Sequence, residues 1–548
     1  MSENKLCFSD RRNFIKTGVA ALGAAAALPR ALQAQGQAGA AELSFALEEL
    51  SLMEMQRSLH AGMQTARSLA EQYLARIQQI DQSGPELRAV IELNPDTMVI
   101  ADELDRERKQ KGSRGLLHGI PVLIKDNIGT ADRMETTAGS LALVGARPAK
   151  DSMVAQRLRE AGALILGKTN LSEWANFRST HSTSGWSGRG GQTKMPYALD
   201  RNPSGSSSGS GVAVSANLCA VAVGTETDGS IVSPANNNGI VGIKPTVGLV
   251  SRSGIVPISH TQDTAGPMAR TVADAAALLS VLAGVDEADE AGRAAAGHVE
   301  RDYTRFLDAR GLKGARLGVV RKYAGYDRHV DKLFDDAISA MKSAGAEIVD
   351  PVEIDTLGKF DDAEQQVLLY EFKTDLERYL AALPKSQCRT MKELIEFNDR
   401  NAERELRYFG QELFIQAEAK GPLSSSEYTK ALEQCRRMSR AEGIDGAIEK
   451  HKLDALIAPT GNAAWTTDLL NGDRFTGSDS TLAAVAGYPH VTVPMGFIFG
   501  LPVGVSFFGK AWSEGPLIKL AYAYEQMTKH RQPPRFRPVV DLAAAETS

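Results

Sequence analysis

Residues 204–223, SGSSSGSGVAVSANLCAVAV, place the tightest limit on what this chain can become. The first half has the composition of a flexible linker. A linker is not followed by a run such as 212–223, which is almost wholly small and apolar. That run can supply a helix and then a strand packed at close quarters. Its glycines therefore serve tight backbone conformations rather than flexibility. A second Gly-Ser pair, Gly229-Ser230, opens another short apolar segment whose first turn reads as helical. Backbone N–H groups at a helix start lack partners and can receive an anion, aided by the helix dipole.

The surrounding sequence alternates helix and strand. TARSLAEQYLARIQQI predicts an amphipathic helix capped by Thr65, with Leu69, Tyr73, Ile77 and Ile80 on one face. AVIEL (89–93) reads as a short strand, and Asn94-Pro95 starts a helix that Gly112 ends. IPVLIK (120–125) is a buried strand by its β-branched content. A helix capped at Asp151 or Ser152 runs to Gly162, and the strand ALILG follows. This predicts an α/β architecture with a largely parallel or mixed sheet. From about 324 to 450 long charged helices dominate, and strand character returns with DALIAP, HVTVPM and VGVSFF. The middle reads as a helical elaboration of one domain, whose flanks belong to the same sheet; an independent domain is the second choice.

The totals exclude several classes. Of 548 residues, 43% are hydrophobic and 24% charged, and the formal net charge is −5. That balance advertises no nucleic-acid or anionic-membrane partner. Near the N-terminus, Arg11 and Arg12 precede Phe14, Ile15, Lys16 and a weakly apolar, Ala-rich run. The pattern resembles a twin-arginine secretory signal over residues 1–34, with Asp10 where Ser or Thr is usual. A periplasmic or secreted location is expected, without stable membrane insertion, because the run is shorter than the ~20 residues of a spanning helix. Cys219, Cys388 and Cys435 follow the signal with no CxxC or zinc-like spacing, so neither a disulfide framework nor a metal site is indicated.

A serine nucleophile needs a base within hydrogen-bond reach and donors aimed at the developing oxyanion. None of the nine histidines lies in a recognisable hydrolase arrangement. Lysine can replace histidine where burial or neighbours lower its pKa. In GIPVLIKDN, Lys125 ends an apolar strand, where an ammonium is costly without partners.

Three islands, GIPVLIKDN, GSSSGSG and ETDGSI, occur in this order and spacing, and with them the chain resembles the amidase signature family. The resemblance runs from about Leu59 to Pro538. It implies a large central mixed β-sheet sandwiched between layers of α-helices, with a helical insertion at 324–450. The expected organisation is a signal (1–34), a linker (35–58), one amidase domain (59–538) and a tail (539–548). The resemblance also assigns roles. Lys125 stands at the family's catalytic lysine. The Gly-Gly-Ser-Ser-Gly-Gly-Ser signature, set on residues 205–211, puts the bridging serine, held by a cis peptide bond, at Ser207. The nucleophile falls on Ser230, and the backbone N–H groups of Thr227, Asp228, Gly229 and Ser230 line the oxyanion hole.

In this register Ser206, Ser210 and Gly211 replace Gly, Gly and Ser, and Val232 stands where the family often has Arg. These departures, with NLSEWANFRS (170–179) and SGWSGRGGQT (184–193), are most similar to the bacterial peptide amidase branch. That branch implies hydrolysis of the C-terminal carboxamide of peptides through a Ser-Ser-Lys triad and an acyl-enzyme. The alternatives are hydrolysis of fatty-acid, aryl or small aliphatic amides, the glutaminase subunit of a transfer-RNA amidotransferase, or an inactive binding protein of the same fold. Trp465, in TGNAAWTTD (460–468), is the candidate for packing a peptide side chain. No nucleotide, metal or flavin motif stands out, so no cofactor is expected. Oligomeric state is not legible.

Overall fold

The buried apolar runs assemble into a single mixed sheet, seen in a computed structural model that describes residues 45–542. The expected signal at 1–34 lies outside the described residues. The first strands are β1 (Val90–Leu93), β2 (Pro121–Lys125) and β3 (Leu164–Thr169). A small hairpin, β4 (Trp186–Ser187) and β5 (Gly191–Gln192), stands apart. Next come β6 (Val221–Glu226), β7 (Val241–Lys244) and β8 (Thr264–Ala269). The second half adds β9 (Arg316–Val319), β10 (Glu347–Val349), β11 (Ala455–Pro459), β12 (His490–Ile498) and β13 (Leu501–Phe508).

Eleven of these strands form the sheet in the order β1-β3-β2-β6-β8-β7-β12-β13-β11-β9-β10. β2 runs parallel to both β3 and β6, whereas β8 is antiparallel to β6 and β7. Every residue of β2, β6, β12 and β13 is buried, as expected of strands covered on both faces. β12 and β13 form a hairpin closed by Phe499 and Gly500, both at positive φ, the backbone demanded by a two-residue turn that follows strand twist.

The Ser208–Ser215 helix, its residues all buried, packs at the closeness that its small side chains predict. A Cβ on Gly209 would stand 2.3 Å from the Ala89 carbonyl oxygen and 2.5 Å from that of Asn170. Only glycine lets the helix approach the ends of β1 and β3 this far.

The expected helical insertion at 324–450 is not wholly helical. β10 pairs in parallel with β9 after the Arg328–Ser343 helix, so a strand–helix–strand unit extends the sheet to its far edge. Three residues, with Glu347 exposed, show too little alternation to register as a strand. The Asp361–Ala382 helix lies between two apolar clusters, with Val367 and Tyr370 in one and Leu368, Phe372 and Leu376 in the other. Each such burial contributes about 1.5–3 kcal/mol, and together they hold the buried Glu371 and Asp375 of that helix in place.

Candidate active site

Lys125 ends β2 fully buried. Its Nζ lies 2.8 Å from Ser206 Oγ, 2.9 Å from Thr225 Oγ1 and 3.2 Å from the Thr225 carbonyl oxygen. Thr225 is delivered by β6, which runs parallel to β2. Among the described residues no carboxylate lies within ion-pair distance of Nζ. Burial pulls the lysine pKa down from 10.5 to about 7, with the charges of Asp263 and Glu226 opposing only in part.

The partner of Lys125 is Ser206, not Ser207 as the signature register had it. The cis peptide bond joins Gly205 to Ser206. Ser207 Oγ instead donates to the Thr225 carbonyl at 2.9 Å and accepts from Thr225 N at 3.1 Å, clipping the serine loop to β6. Successive side chains of a non-helical segment leave in different directions, so neighbouring serines take different partners. A run of serines hides such a one-residue offset from pattern reading. With the signature moved to residues 204–210, the departures reduce to Ser204 and Ser208 in place of glycine.

Ser230 follows Gly229, which has φ +75°, and a Cβ on Gly229 would stand 2.9 Å from Ser480 Oγ. Ser230 is 8% exposed while Ser206 is 1% exposed, so the former is the more open of the two hydroxyl-bearing residues. Ser207 N donates to the Ser230 carbonyl at 3.2 Å, joining the serine loop to the 227–230 turn. Among the described residues no hydrogen bond links Ser230 Oγ to Ser206 Oγ.

Within that turn the amides of Thr227, Asp228, Gly229 and Ser230 find no acceptor among the described residues. Four free N–H groups beside a serine hydroxyl make a ready receptor for an oxyanion. The next two amides, Ile231 and Val232, are taken by Glu226 Oε2 at 2.7 and 3.1 Å. Glu226 thus binds main chain where an arginine partner is missing, since Val232 offers no charge. Asp228 accepts from Ser480 Oγ at 2.5 Å and Thr481 Oγ1 at 2.7 Å, which braces the turn from outside. Burial raises the Asp228 pKa, against the pull of those two hydroxyls.

Trp465 is buried, and its Nε1 donates to Asp473 Oδ1 at 3.0 Å. Its ring meets that of the half-exposed Phe475 edge-on at 5.6 Å. Asn202 N donates to the Trp465 carbonyl at 2.8 Å, and Asn202 Oδ1 accepts from Ser204 N at 2.8 Å. The tryptophan therefore backs the serine loop, and Phe475 is the aromatic that meets solvent. Pattern reading missed Thr225, Ser206, Ser480 and Phe475. Thr225 directly precedes the third island, on the strand that runs parallel to β2, and it was not singled out there; the pair Ser480-Thr481 carries no local signal.

The fold and this site define an amide hydrolase. The chain belongs to the amidase family, whose family model, described as Amidase, matches residues 68–518. It is 44% identical over 503 residues to a probable amidase of Arabidopsis thaliana, covering 90% of this chain and 93% of that one. The native peptide amidase of Stenotrophomonas maltophilia superposes with TM-score 0.85 at 52% identity, covering 90% of this chain and 100% of the other. A structure of a peptide amidase with the competitive inhibitor chymostatin gives 0.86 at 53% identity, with the same coverage.

Proposed function

We propose that this amidase hydrolyses the C-terminal carboxamide of peptides, with Ser230 as nucleophile, Ser206 as proton relay and Lys125 as base. One observation carries the mechanism. A neutral Lys125 amine has two N–H groups and one lone pair. Thr225 supplies two acceptors, its carbonyl and its hydroxyl, which engage the N–H groups. The lone pair is then left to face Ser206 Oγ at 2.8 Å. With the amine neutral, that contact runs from the serine hydroxyl to the nitrogen.

The steps follow from this geometry. Lys125 takes the Ser206 proton as Ser206 takes that of Ser230. Ser230 Oγ bonds to the amide carbon, and the carbonyl oxygen becomes an oxyanion received by the amides of residues 227–230. Collapse breaks the C–N bond, the relay returns the proton to nitrogen, and ammonia leaves. Water then attacks the acyl ester by the same relay, giving the free carboxylate and restoring Ser230. The link from Ser230 to Ser206 is open in the ground state and closes as the substrate carbonyl draws the nucleophile in; such contacts commonly tighten only in the bound complex.

The peptide substrate rests on the similarity to peptide amidase, one of whose structures carries the competitive inhibitor chymostatin. The export expected from residues 1–34 belongs to the same proposal and is checked by cell fractionation. The enzymatic test is ammonia release from amidated peptides, amino-acid amides and fatty-acid amides. Amidated peptides should have the highest kcat/KM, and Ser230→Ala should lose turnover by about a million-fold, as removal of a catalytic serine does elsewhere. Near-normal turnover in Ser230→Ala overturns the mechanism, and preference for a lipid amide overturns the substrate.

A further inference from the structure

A cavity of about 1040 Å³ is lined in part by Thr225, Glu226 and Thr227, and its wall contains neither Lys125 nor Ser230. His260 stands in that wall, in a loop that touches both the 227–230 turn and the Asp361–Ala382 helix. His260 Nδ1 lies 2.7 Å from Asp375 Oδ2, and His260 N donates to the same oxygen at 3.1 Å. On the far side of the ring, Nε2 lies 3.3 Å from Glu371 Oε1. His260, Glu371 and Asp375 are of metal-ligating types and lie close together. Their arrangement is nevertheless that of an ion-pair clamp. Each residue can offer one ligand atom within 4.8 Å of the others, but in the contacts present the two ring nitrogens face different carboxylates. Glu371 is further filled by Tyr428 OH at 2.7 Å and by Thr261 N and Oγ1 at 3.1 and 2.9 Å.

The loop transmits this clamp to the turn. Gln262 Nε2 bridges Glu364 Oε1 at 2.8 Å and the Thr227 carbonyl at 3.3 Å. Asp263 Oδ1 accepts from Thr227 Oγ1 at 2.6 Å, while its other oxygen accepts from Ile258 N and Ser259 N at 2.8 and 2.9 Å. Thr227, the first residue with a free amide, is therefore gripped at its carbonyl and its hydroxyl by two neighbours of His260.

We propose that His260 is a positioning residue for the oxyanion turn: held as an imidazolium between Asp375 and Glu371, it pins residues 258–263 to the Asp361–Ala382 helix, and Gln262 and Asp263 then set Thr227. The proposal rests on the amide-hydrolase mechanism proposed above. The charge balance around the ring favours the imidazolium. From the Asp361–Ala382 helix it meets Asp375 and Glu371, with Arg378 paired to Asp375 at 3.0 Å. From the Ser426–Arg436 helix come Tyr428, whose OH lies 3.4 Å from Nε2, and Arg436 in the same cavity wall. Arg252, paired with Asp289, donates to the His260 carbonyl, and Asp263 lies on the loop itself. Burial by itself would lower the histidine pKa; the hydrogen bond to Asp375 and the charges of Glu371 and Asp375 outweigh it, Arg252 opposes, and the pKa rises. The imidazolium is therefore kept to higher pH than in a free histidine and is lost as the pH rises further, which loosens the turn.

The test follows kcat and KM against pH with an amidated peptide, and the affinity of a peptide aldehyde, whose adduct places an oxyanion on the turn. His260→Gln can satisfy one carboxylate but not both. It should lower kcat about tenfold with KM little changed, a fraction of the ~10²-fold that a 1 Å misplacement costs. It should weaken the aldehyde by the same factor and abolish the alkaline limb of the profile. Asp375→Asn should move that limb to lower pH. Gln262→Ala breaks the link beyond the histidine, so it should weaken aldehyde binding yet leave the limb in place. Circular dichroism and thermal unfolding establish that each variant is folded. A wild-type profile without an alkaline limb, a limb unchanged in His260→Gln, or a fall in kcat without loss of aldehyde affinity overturns the clamp. Turnover that survives Ser230→Ala instead overturns the underlying mechanism, so the two failures are distinct.

Discussion

Replacing Lys125 by methionine should abolish activity and yet stabilise the protein at neutral pH. The magnitude follows from the site. In the fold the amine has a pKa of about 7 against an ordinary 10.5. Holding the lysine in its buried place at pH 7 therefore costs (10.5 − 7) × ~1.4, or about 5 kcal/mol. Methionine of similar shape carries no such cost. It forfeits the contacts to Ser206 and Thr225, worth about 1 kcal/mol each, or about 3 in all. The net gain at pH 7 is about 2 kcal/mol, in line with the general result that an apolar replacement for a buried ionisable group is often stabilising.

The gain has a defined pH dependence. Between pH 7 and 10.5 the unfolded lysine keeps its proton while the native one has lost it, so the unfolded state binds more protons. Wild-type stability therefore rises with pH through this window, by about 1.4 kcal/mol per unit, and Lys125→Met lacks the rise. The variant should be more stable than wild type at pH 7, equal near pH ~8 and less stable by about 3 kcal/mol at pH 10.5. Denaturant unfolding at pH 7 and pH 10, read by fluorescence and circular dichroism, measures the difference. A variant destabilised equally at both pH values would refute the reasoning, because it would mean that the native lysine stays charged and paired.

Other outcomes follow from the same geometry. The wild-type profile of kcat/KM should have an acid limb near pH 7, where Lys125 takes up its proton; a limb below pH 5 would assign the base elsewhere. Ser206→Ala should lower kcat by ~10²–10⁴-fold at unchanged fold, the usual worth of a proton-transfer group. Ser207→Ala should instead cost about 1–3 kcal/mol in stability by leaving Thr225 N without its acceptor, with kcat far less affected. Equal kinetic losses in the two variants would count against the assignment of Ser206. Gly209→Ala should fail to accumulate as folded protein, since its Cβ meets the Ala89 carbonyl at 2.3 Å; soluble expression and a thermal melt report it.

Much of the site was legible because its chemistry sits in short, unusual local patterns. A lysine at the end of an apolar strand does not by itself mark a base, since β7 also ends in one, Lys244; the three islands in their order marked Lys125, and Gly229-Ser230 before an apolar turn marked the free amides. The serine register was not legible. Residues 206–208 are identical in composition, and which hydroxyl meets the amine depends on backbone directions that no periodicity encodes. The role of Glu226 was equally hidden: its sequence shows the loss of an arginine partner, whereas the fold hands its carboxylate to two backbone amides five and six residues on. β10 escaped for a simpler reason, since three residues at a sheet edge, one exposed and two half-buried, carry almost no pattern.

The chain's own sequence determined the alternation of helix and strand, the close-packed Ser208–Ser215 helix and the types of residue available for acyl transfer. These depend on side-chain size, apolar spacing and glycine, all properties of neighbours along the chain. Only the tertiary structure decided that Ser206 meets Lys125, that Thr225 supplies the two acceptors, and that His260 ties a distant helix to the oxyanion turn. Those contacts join segments tens to more than a hundred residues apart, and their partners are chosen by strand order and burial rather than by local preference.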